Sequence, residues 1–220
     1  KLATRVAEAM NIPQQMIDGR RITDAETLKV VTMVYAGAIN KNIVAALQQK
    51  GCNALGLTGA DANVILAHKR IHPVTDYGFA GDVDAVNTEF INLLLQQNIS
   101  LVFAPITHDG KGILLNTNAD TIAQELAKAM SSLFDVSLIY CFEKNGVLLN
   151  ANDDNSVIST INSSSFMQMK NDGIISEGMI PKLQNAFTAL DAGVAAVSIG
   201  HADKLDLLIT RESGTLIQND

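Results

Sequence analysis

Residues 99–142 read ISLVFAPITHDGKGILLNTNADTIAQELAKAMSSLFDVSLIYCF. Ile99 to Ile106 is a near-continuous apolar run, the pattern of a strand buried on both faces. His108-Asp109-Gly110-Lys111-Gly112 is a turn. Asn118 or Ala119 then opens a helix that carries Ile122, Leu126 and Met130 at helical spacing, and Val136 to Phe142 is a second buried strand. Strands alternating with helices in this way argue for a mainly parallel sheet covered on both faces.

The same alternation extends in both directions. Upstream, Leu2, Val6, Ala9 and Met10 share one face of a helix that stops at Asn11-Ile12-Pro13. A polar loop leads to Thr23-Asp24-Ala25-Glu26, which has capping-box form: the Thr hydroxyl can accept a free N–H and Glu26 can reach back to another. The helix behind it runs to about Lys50 with Leu28, Val31, Tyr35, Ile39, Ile43 and Leu47 at helical spacing, and Gly51 ends it. Strands are expected over 53–58 and 64–71, a loop over 73–83, and a helix capped by Asn87. Downstream, Asn145-Gly146 marks a tight turn, Ser163-Ser164-Ser165 a loop ending in a helix cap, and 179–192 a helix. A strand is expected over 195–199, with a final pair over 205–210 and 215–218. The predicted class is α/β with a mainly parallel central sheet and a few late antiparallel strands. Ligands in such sheets bind beyond the carboxyl ends of the strands, which gathers the loops at 58–61, 106–120 and 142–148.

Composition bounds the function. The chain has 220 residues and a mass of 23.5 kDa, of which 47% are apolar and 18% charged. This is a globular composition with enough chain to build a core without disulfides or metal. Sixteen basic residues against 23 acidic ones leave a net charge of −7, which on average repels a phosphate backbone and argues against a nucleic-acid partner. A local basic pocket for a small anion stays compatible with that balance. No apolar run is expected to approach the ~18 residues of a membrane span. Cys52 and Cys141 lie in apolar runs and read as small buried hydrophobes in a reducing, cytoplasmic compartment rather than as a disulfide framework.

Common catalytic signatures are absent: neither G-x-x-x-x-G-K-[ST] nor G-x-G-x-x-G occurs, no G-x-S-x-G elbow occurs, and the histidines lack metal-ligand spacing. Three constellations stand out. Asn116-Thr117-Asn118-Ala119-Asp120 puts two amides two residues apart on an extended segment, so both face one ligand, and Asp120 in a first helical turn. The plain alternative is an Asn cap followed by a first-turn acid. The segment from Gly173 to Lys182 places a lysine in the first turn of a helix, where the dipole disfavours it unless an anion is bound; the alternative is a solvated lysine. Gly19-Arg20-Arg21 sets tandem guanidiniums beside a helix start, suited to carboxylate or phosphate, or simply exposed.

In this order, the pieces resemble the amino-acid kinase family, and within it the acetylglutamate kinase branch. The likeness rests on Gly19-x-Arg21-Ile22-Thr23-Asp24, Asn40-Lys41, Gly56-Leu57-Thr58-Gly59-x-Asp61 and Gly78-Phe79-x-Gly81. It continues through Ala104-Pro105-Ile106, Asn116-x-Asn118-Ala119-Asp120, Gly146-Val147-Leu148 and Gly178-Met179-Ile180-Pro181-Lys182.

The resemblance implies a three-layer αβα sandwich that moves the γ-phosphoryl group of ATP to the side-chain carboxylate of an N-acyl-glutamate. It implies a single domain with an acylglutamate-binding lobe over 1–118 and an ATP-binding lobe over 119–220. Lys182 matches the lysine that neutralises the transferring phosphoryl, and Asp120 the aspartate that orients the lysines. Arg21 and Asn116 match substrate contacts, with Asn118 beside them. Glu143, Lys144, Asn145, Gly146, Val147 and Leu148, with Ile174, Ile175 and Ser176, match the nucleotide site. Magnesium would travel on the ATP phosphates, with no metal ligands from the chain. A homodimer or larger homo-oligomer is implied, with Gly37-Ala38 as a close-approach face.

The chain departs from the family pattern in three places. The family's first strand, with a lysine and glycines, and its His-Gly-Gly-Gly loop would precede Lys1, so the polypeptide as it stands is expected to be incomplete or inactive. Lys144 replaces an apolar residue of the nucleotide segment. Arg20 replaces a leucine, and this extra cation suits an acyl group with its own carboxylate, such as succinyl, unless Arg20 faces solvent. The alternatives are a sibling kinase acting on aspartate, glutamate, carbamate or a nucleoside monophosphate, and a non-catalytic sensor on the same fold.

Overall fold

The computed structural model describes residues 2–17, 20–150, 152–175 and 179–220. The chain forms two compact units, 1–122 and 123–220, and the boundary falls inside one helix, Ala119–Met130.

In the first unit, α1 (Leu2–Ala9) buries Ala3 and Ala7, four residues apart on one face. The segment expected as a polar loop holds a hairpin: β1 (Gln15–Ile17) pairs antiparallel with β2 (Arg20–Ile22), with Met16 opposite Arg21. Three-residue strands with no buried face carry no alternation for a reader to find. A long helix follows as α2 (Ala25–Thr32), a π-helical stretch (Met33–Ile39) and α3 (Asn40–Gln49).

The cap of α2 sits one residue later than the capping box predicts. Asp24 accepts the Thr27 N–H at 2.7 Å. Thr23 is instead fully buried beside residues 77–79: its N–H donates to Tyr77 O at 3.0 Å, and Phe79 N–H donates to Thr23 O at 2.6 Å. That tertiary pairing takes Thr23 away from the helix end.

β3 (Ala54–Leu57) leads to the antiparallel pair β4 (Ile65–Lys69) and β5 (Ala80–Val86). β5 begins within the stretch expected to be loop, since Gly81, Asp82 and Asp84 mask its pattern. Asn87 caps α4 (Thr88–Gln96) as expected, accepting from Phe90 N–H at 3.1 Å. β6 (Ser100–Phe103) runs parallel to β3, with Leu57 opposite Phe103. β7 (Ile106–His108) and β8 (Leu114–Thr117) complete a small barrel in the order β4-β5-β8-β7. Ala7, Val30, Val31, Val34 and Ile106 form a core cluster on the α1–α2 side.

The second unit takes up the rest of α5 (Ala119–Met130) and continues with β9 (Ser137–Phe142) and β10 (Thr160–Ile161). Then come α6 (Ser163–Asn171), α7 (Ile180–Asp191), β11 (Ala196–His201), α8 (Leu205–Ile209) and β12 (Thr215–Ile217). The sheet order is β10-β12-β11-β9; β9 is parallel to β11, and β12 is antiparallel to β11. Leu183, Ala186, Val197, Ile199 and Ile217 are fully buried between α7 and the sheet.

The fold class is α/β, with parallel strand pairs β3–β6 and β9–β11 and helices between their strands. Residues 205–209, expected as strand, are helical: a five-residue stretch with four apolar residues does not choose between helix and strand, and packing of Leu208 into the core decides it. Ser163, Ser164 and Ser165 are the first turn of α6 rather than its cap; Asn162 caps it, reciprocally with Ser165. The cysteines are not buried: Cys52 is half-buried, with its thiol 3.3 Å from Ser100 Oγ, and Cys141 is exposed. The continuous helix Ala25–Gln49 is 25 residues long, long and apolar enough to cross a membrane, which corrects the expectation that nothing reaches that length. Core helices of soluble proteins share these properties, and Val30, Val31, Val34 and Asn40 of this one are buried in the first unit.

Candidate active site

Within the first unit a cavity of about 480 Å³ opens among the π-helical stretch, α3, β2, β6 and β8. Arg20, Arg21, Arg70, Asn40, Asn116 and Asn118 supply its polar lining, and Tyr35, Ile39, Val102 and Pro105 part of its apolar wall. No Asp or Glu is among the described residues that line it. The chain's acidic balance is therefore inverted here, and the chemistry is that of a carboxylate or phosphate site.

Arg21, Asn116 and Asn118 are each held by hydrogen bonds. Arg21 donates through Nη1 to Gln14 Oε1 and through Nη2 to Thr4 Oγ1, the latter at 3.1 Å. Asn116 lies on β8, opposite both Ala80 and Ile106. Its Nδ2 donates to Thr23 Oγ1 at 2.9 Å, a contact between residues 93 apart in the chain. The displaced would-be cap thus supports the cavity instead. Asn118 Oδ1 accepts Thr121 N–H at 3.1 Å, so the plain capping role holds for this residue, and its Nδ2 is the group left for a ligand.

Arg21, Asn116 and Asn118 meet in one cavity, as the period-2 reading of 116–118 requires. Arg20 lines it too. Arg70, Asn40 and Tyr35 were missed as site residues. Tyr35 and Asn40 lie on the long helix and read as core or polar face; Arg70 follows β4 in a stretch without local signal.

In the second unit a smaller cavity, about 160 Å³, is lined by Phe142, Lys144, Gly146, Val147, Leu148, Ile174, Ile175 and Met179. It gathers six of the expected nucleotide residues: Lys144, Gly146, Val147, Leu148, Ile174 and Ile175. Phe142 and Met179 are additions that flank the expected segments. Glu143 and Asn145 do not line it; Asn145 Nδ2 donates to Asp154 O at 3.2 Å and shapes the loop. Lys144 Nζ pairs with Asp154 at 2.7 Å. Ser176 lies outside the described residues, as do Gly19 and Gly178 of the quoted motifs.

The loop is anchored from below by Thr215. This fully buried residue accepts Val147 N–H at 2.8 Å and donates to Ile158 O at 2.6 Å. Gly146 has no room for a side chain: a Cβ there would lie 2.8 Å from Thr215 Oγ1 and 2.8 Å from Val157 Cγ1.

Asp120 sits in the first turn of α5, in the first unit. Lys182 sits in the first turn of α7, in the second unit, with Nζ 5.7 Å from the Tyr140 ring centroid, a cation–π distance. Neither lines the two cavities. Among the described residues no group of three or more His, Cys, Asp or Glu side chains is placed to hold a metal ion.

Residues 1–201 match the amino acid kinase family. An acetylglutamate kinase of Phocaeicola vulgatus is 59% identical over 98% of this chain and 82% of its own length. An acetylglutamate kinase of Cytophaga hutchinsonii is 56% identical over 95% of this chain and 80% of its own length. A solved protein of Streptococcus mutans UA159 superposes with a TM-score of 0.82 at 28% identity, over 99% of this chain and 82% of that one. The structure of Giardia carbamate kinase, at 11% identity and a TM-score of 0.60 over 87% of this chain and 72% of that one, shares the fold.

Proposed function

The chain belongs to the amino acid kinase family, and from that premise we propose that it phosphorylates the side-chain carboxylate of N-acetyl-L-glutamate with ATP, yielding an acyl phosphate and ADP in arginine biosynthesis. The observation that carries this reading is the arginine-lined, acid-free cavity of the first unit, in a chain more than half identical to acetylglutamate kinases. A dicarboxylate fits such a cavity, and a neutral or cationic substrate does not.

In this reading the first unit holds the acylglutamate and the second the nucleotide. Arg21 and Asn116 bind and orient the acceptor, and Asn118 adds an amide N–H. The slot of Phe142, Val147, Leu148 and Ile175 takes the base, with Gly146 allowing close approach of backbone. A carboxylate oxygen forms a bond to the γ-phosphorus while the bond to the bridging oxygen of ADP breaks. No covalent enzyme chemistry is needed, so positioning and charge neutralisation supply the rate. Lys182 places positive charge on the equatorial oxygens, and Asp120 orients the cations. Magnesium, carried by the nucleotide phosphates, would add charge neutralisation there; the side chains described offer no cage of their own.

Arg20 favours a second reading of the acyl group. It lines the cavity beside Arg21, which supports a substrate with an additional carboxylate, such as N-succinyl-L-glutamate. The long helix leaves apolar surface open: Met33 is 52% exposed, and Gly37 meets no atom within 4 Å of a Cβ position. This supports a homo-oligomer formed on that surface, which light scattering would test. Free cysteines suit a reducing cytoplasm.

Hydroxylamine trapping of the acyl phosphate tests the function. The full-length protein is supplied with ATP and either N-acetyl- or N-succinyl-L-glutamate. Hydroxamate from either supports a carboxylate kinase, and the preferred one identifies the acyl group; Arg20→Leu should erase a succinyl preference. A folded, ATP-binding protein that makes no hydroxamate would move the reading to a sibling kinase or a sensor domain.

A further inference from the structure

Arg70 is the most firmly held cation of the acylglutamate cavity, although no sequence signal marks it. It follows β4, and its N–H donates to Ala80 O at 2.8 Å, continuing the β4–β5 ladder. Its Nε lies 3.0 and 3.1 Å from the two carboxylate oxygens of Asp82 on β5, and its Nη2 lies 2.5 Å from one of them. Tyr77 lies beneath the guanidinium, with its ring centroid 5.9 Å from Cζ. The side chain is 13% exposed, while those of the other two pairs on this hairpin, His68–Asp84 and Lys69–Asp76, are 41% exposed or more.

These restraints have a chemical consequence. A carboxylate and an aromatic ring fix the guanidinium plane, and Nε and Nη2 are occupied. The rest of the fork belongs to a side chain that lines the cavity with Arg21 and Asn116. A fork already immobilised loses little entropy on binding an anion, so its hydrogen bonds count nearly in full. A hairpin staple alone would account for the Asp82 pair; it would not account for Arg70 lining a cavity whose described lining holds no Asp or Glu.

We infer that Arg70 is a substrate-binding residue: its guanidinium donates to a carboxylate of the N-acylglutamate, and Asp82 and Tyr77 are the residues that position it. The inference rests on the acylglutamate reading above and assigns one residue within it.

Calorimetry on the full-length protein tests it, with N-acetyl-L-glutamate, N-succinyl-L-glutamate and ADP titrated separately. Arg70→Gln should weaken binding of whichever acylglutamate the wild type takes by on the order of tenfold or more, as loss of a charge-assisted hydrogen bond does. ADP should bind as before. Asp82→Asn should weaken the acylglutamate less, because the fork is loosened but not removed. A variant with unchanged acylglutamate affinity and only a lowered melting temperature would overturn the inference and leave Arg70 a staple. If Arg70→Gln does not fold, Arg70→Lys decides: it keeps the charge but not the fork, so it should lose acylglutamate affinity several-fold with ADP unaffected, and full retention overturns the proposal. A wild type that binds ADP and neither acylglutamate overturns the functional reading itself, a result separate from any effect of the substitutions.

Discussion

The side-chain oxygen of Asn40 occupies the place of a side chain on Gly56: a Cβ on Gly56 would lie 1.9 Å from Asn40 Oδ1. Asn40 is 2% exposed, and its Nδ2 donates to Val102 O at 2.8 Å, while Lys41 Nζ donates to Gly56 O at 2.9 Å. The Asn40-Lys41 pair thus clamps the start of α3 onto both β3 and β6. Gly56→Ala should push Asn40 off Val102 and deform the cavity wall. The expected loss is about 1–3 kcal/mol, the usual range for overpacking, read as a lower urea midpoint with an unchanged slope. Affinity for the acylglutamate should fall with it.

Gly78 should be equally intolerant, for a backbone reason. Its φ of +67° is one that L side chains rarely adopt, and a Cβ would lie 2.1 Å from Thr23 O. Gly78→Ala should separate residues 77–79 from Thr23, and Thr23 Oγ1 is what receives Asn116 Nδ2. We expect a loss of stability of at least about 1 kcal/mol and a raised KM for the acylglutamate at an unchanged KM for ATP.

Thr215 should matter to the nucleotide and not to the acceptor. Thr215→Val keeps the shape but leaves the buried Val147 N–H without its acceptor, a loss of about 1–3 kcal/mol. KM for ATP should rise while KM for the acylglutamate stays put. Thr215→Ser, which retains the hydroxyl, should recover most of the loss; equal effects of both variants on both substrates would show a general packing defect.

Asn116→Asp tests the sign of the first cavity. The substitution is nearly isosteric, and Thr23 can turn its hydroxyl to donate where it accepted before. The new charge stands among arginines but facing a dianionic ligand. The acylglutamate KM should rise on the order of tenfold, more steeply at low ionic strength than at high. An unchanged KM would mean that the acceptor does not approach β8.

Lys182→Met should separate binding from turnover. Removing positive charge that acts on the transferring group should lower kcat on the order of a hundredfold or more, with modest changes in both KM values. A rise in KM for ATP alone would make Lys182 a ground-state contact.

Several of these residues are visible in the sequence because their information is local. The strands β6 and β9 and the helix α5 follow from two apolar runs and a helical stripe; their pairing does not, since β6 pairs with β3 and β9 with β11. Asn87 is legible as a cap because its partner, Phe90, is three residues away. Asn116 and Asn118 are legible as a pair because alternate residues of an extended segment share a face, whereas the tight turn expected at Asn145-Gly146 is a bend, and the antiparallel bridge nearby joins Leu148 to Val157. The short hairpin β1–β2 and the helix α8 were not legible, since three-residue strands or a five-residue stretch with four apolar residues satisfy more than one conformation. The family resemblance places Lys182, Asp120 and the nucleotide segment in order along the chain without giving their distances.

By itself the sequence determines the alternation of helices and strands, the acidic surface, and the residues that carry polar chemistry, because spacings of two to four residues decide those. Which cations share a cavity is decided only in three dimensions. Thr23 leaves a helix cap to support Asn116, 93 residues away, and Arg70 is turned and held by Asp82 across a hairpin, 12 residues away. Such contacts form when the backbone brings distant strands together, and hydrogen-bond geometry between distant residues leaves no period in the chain to read.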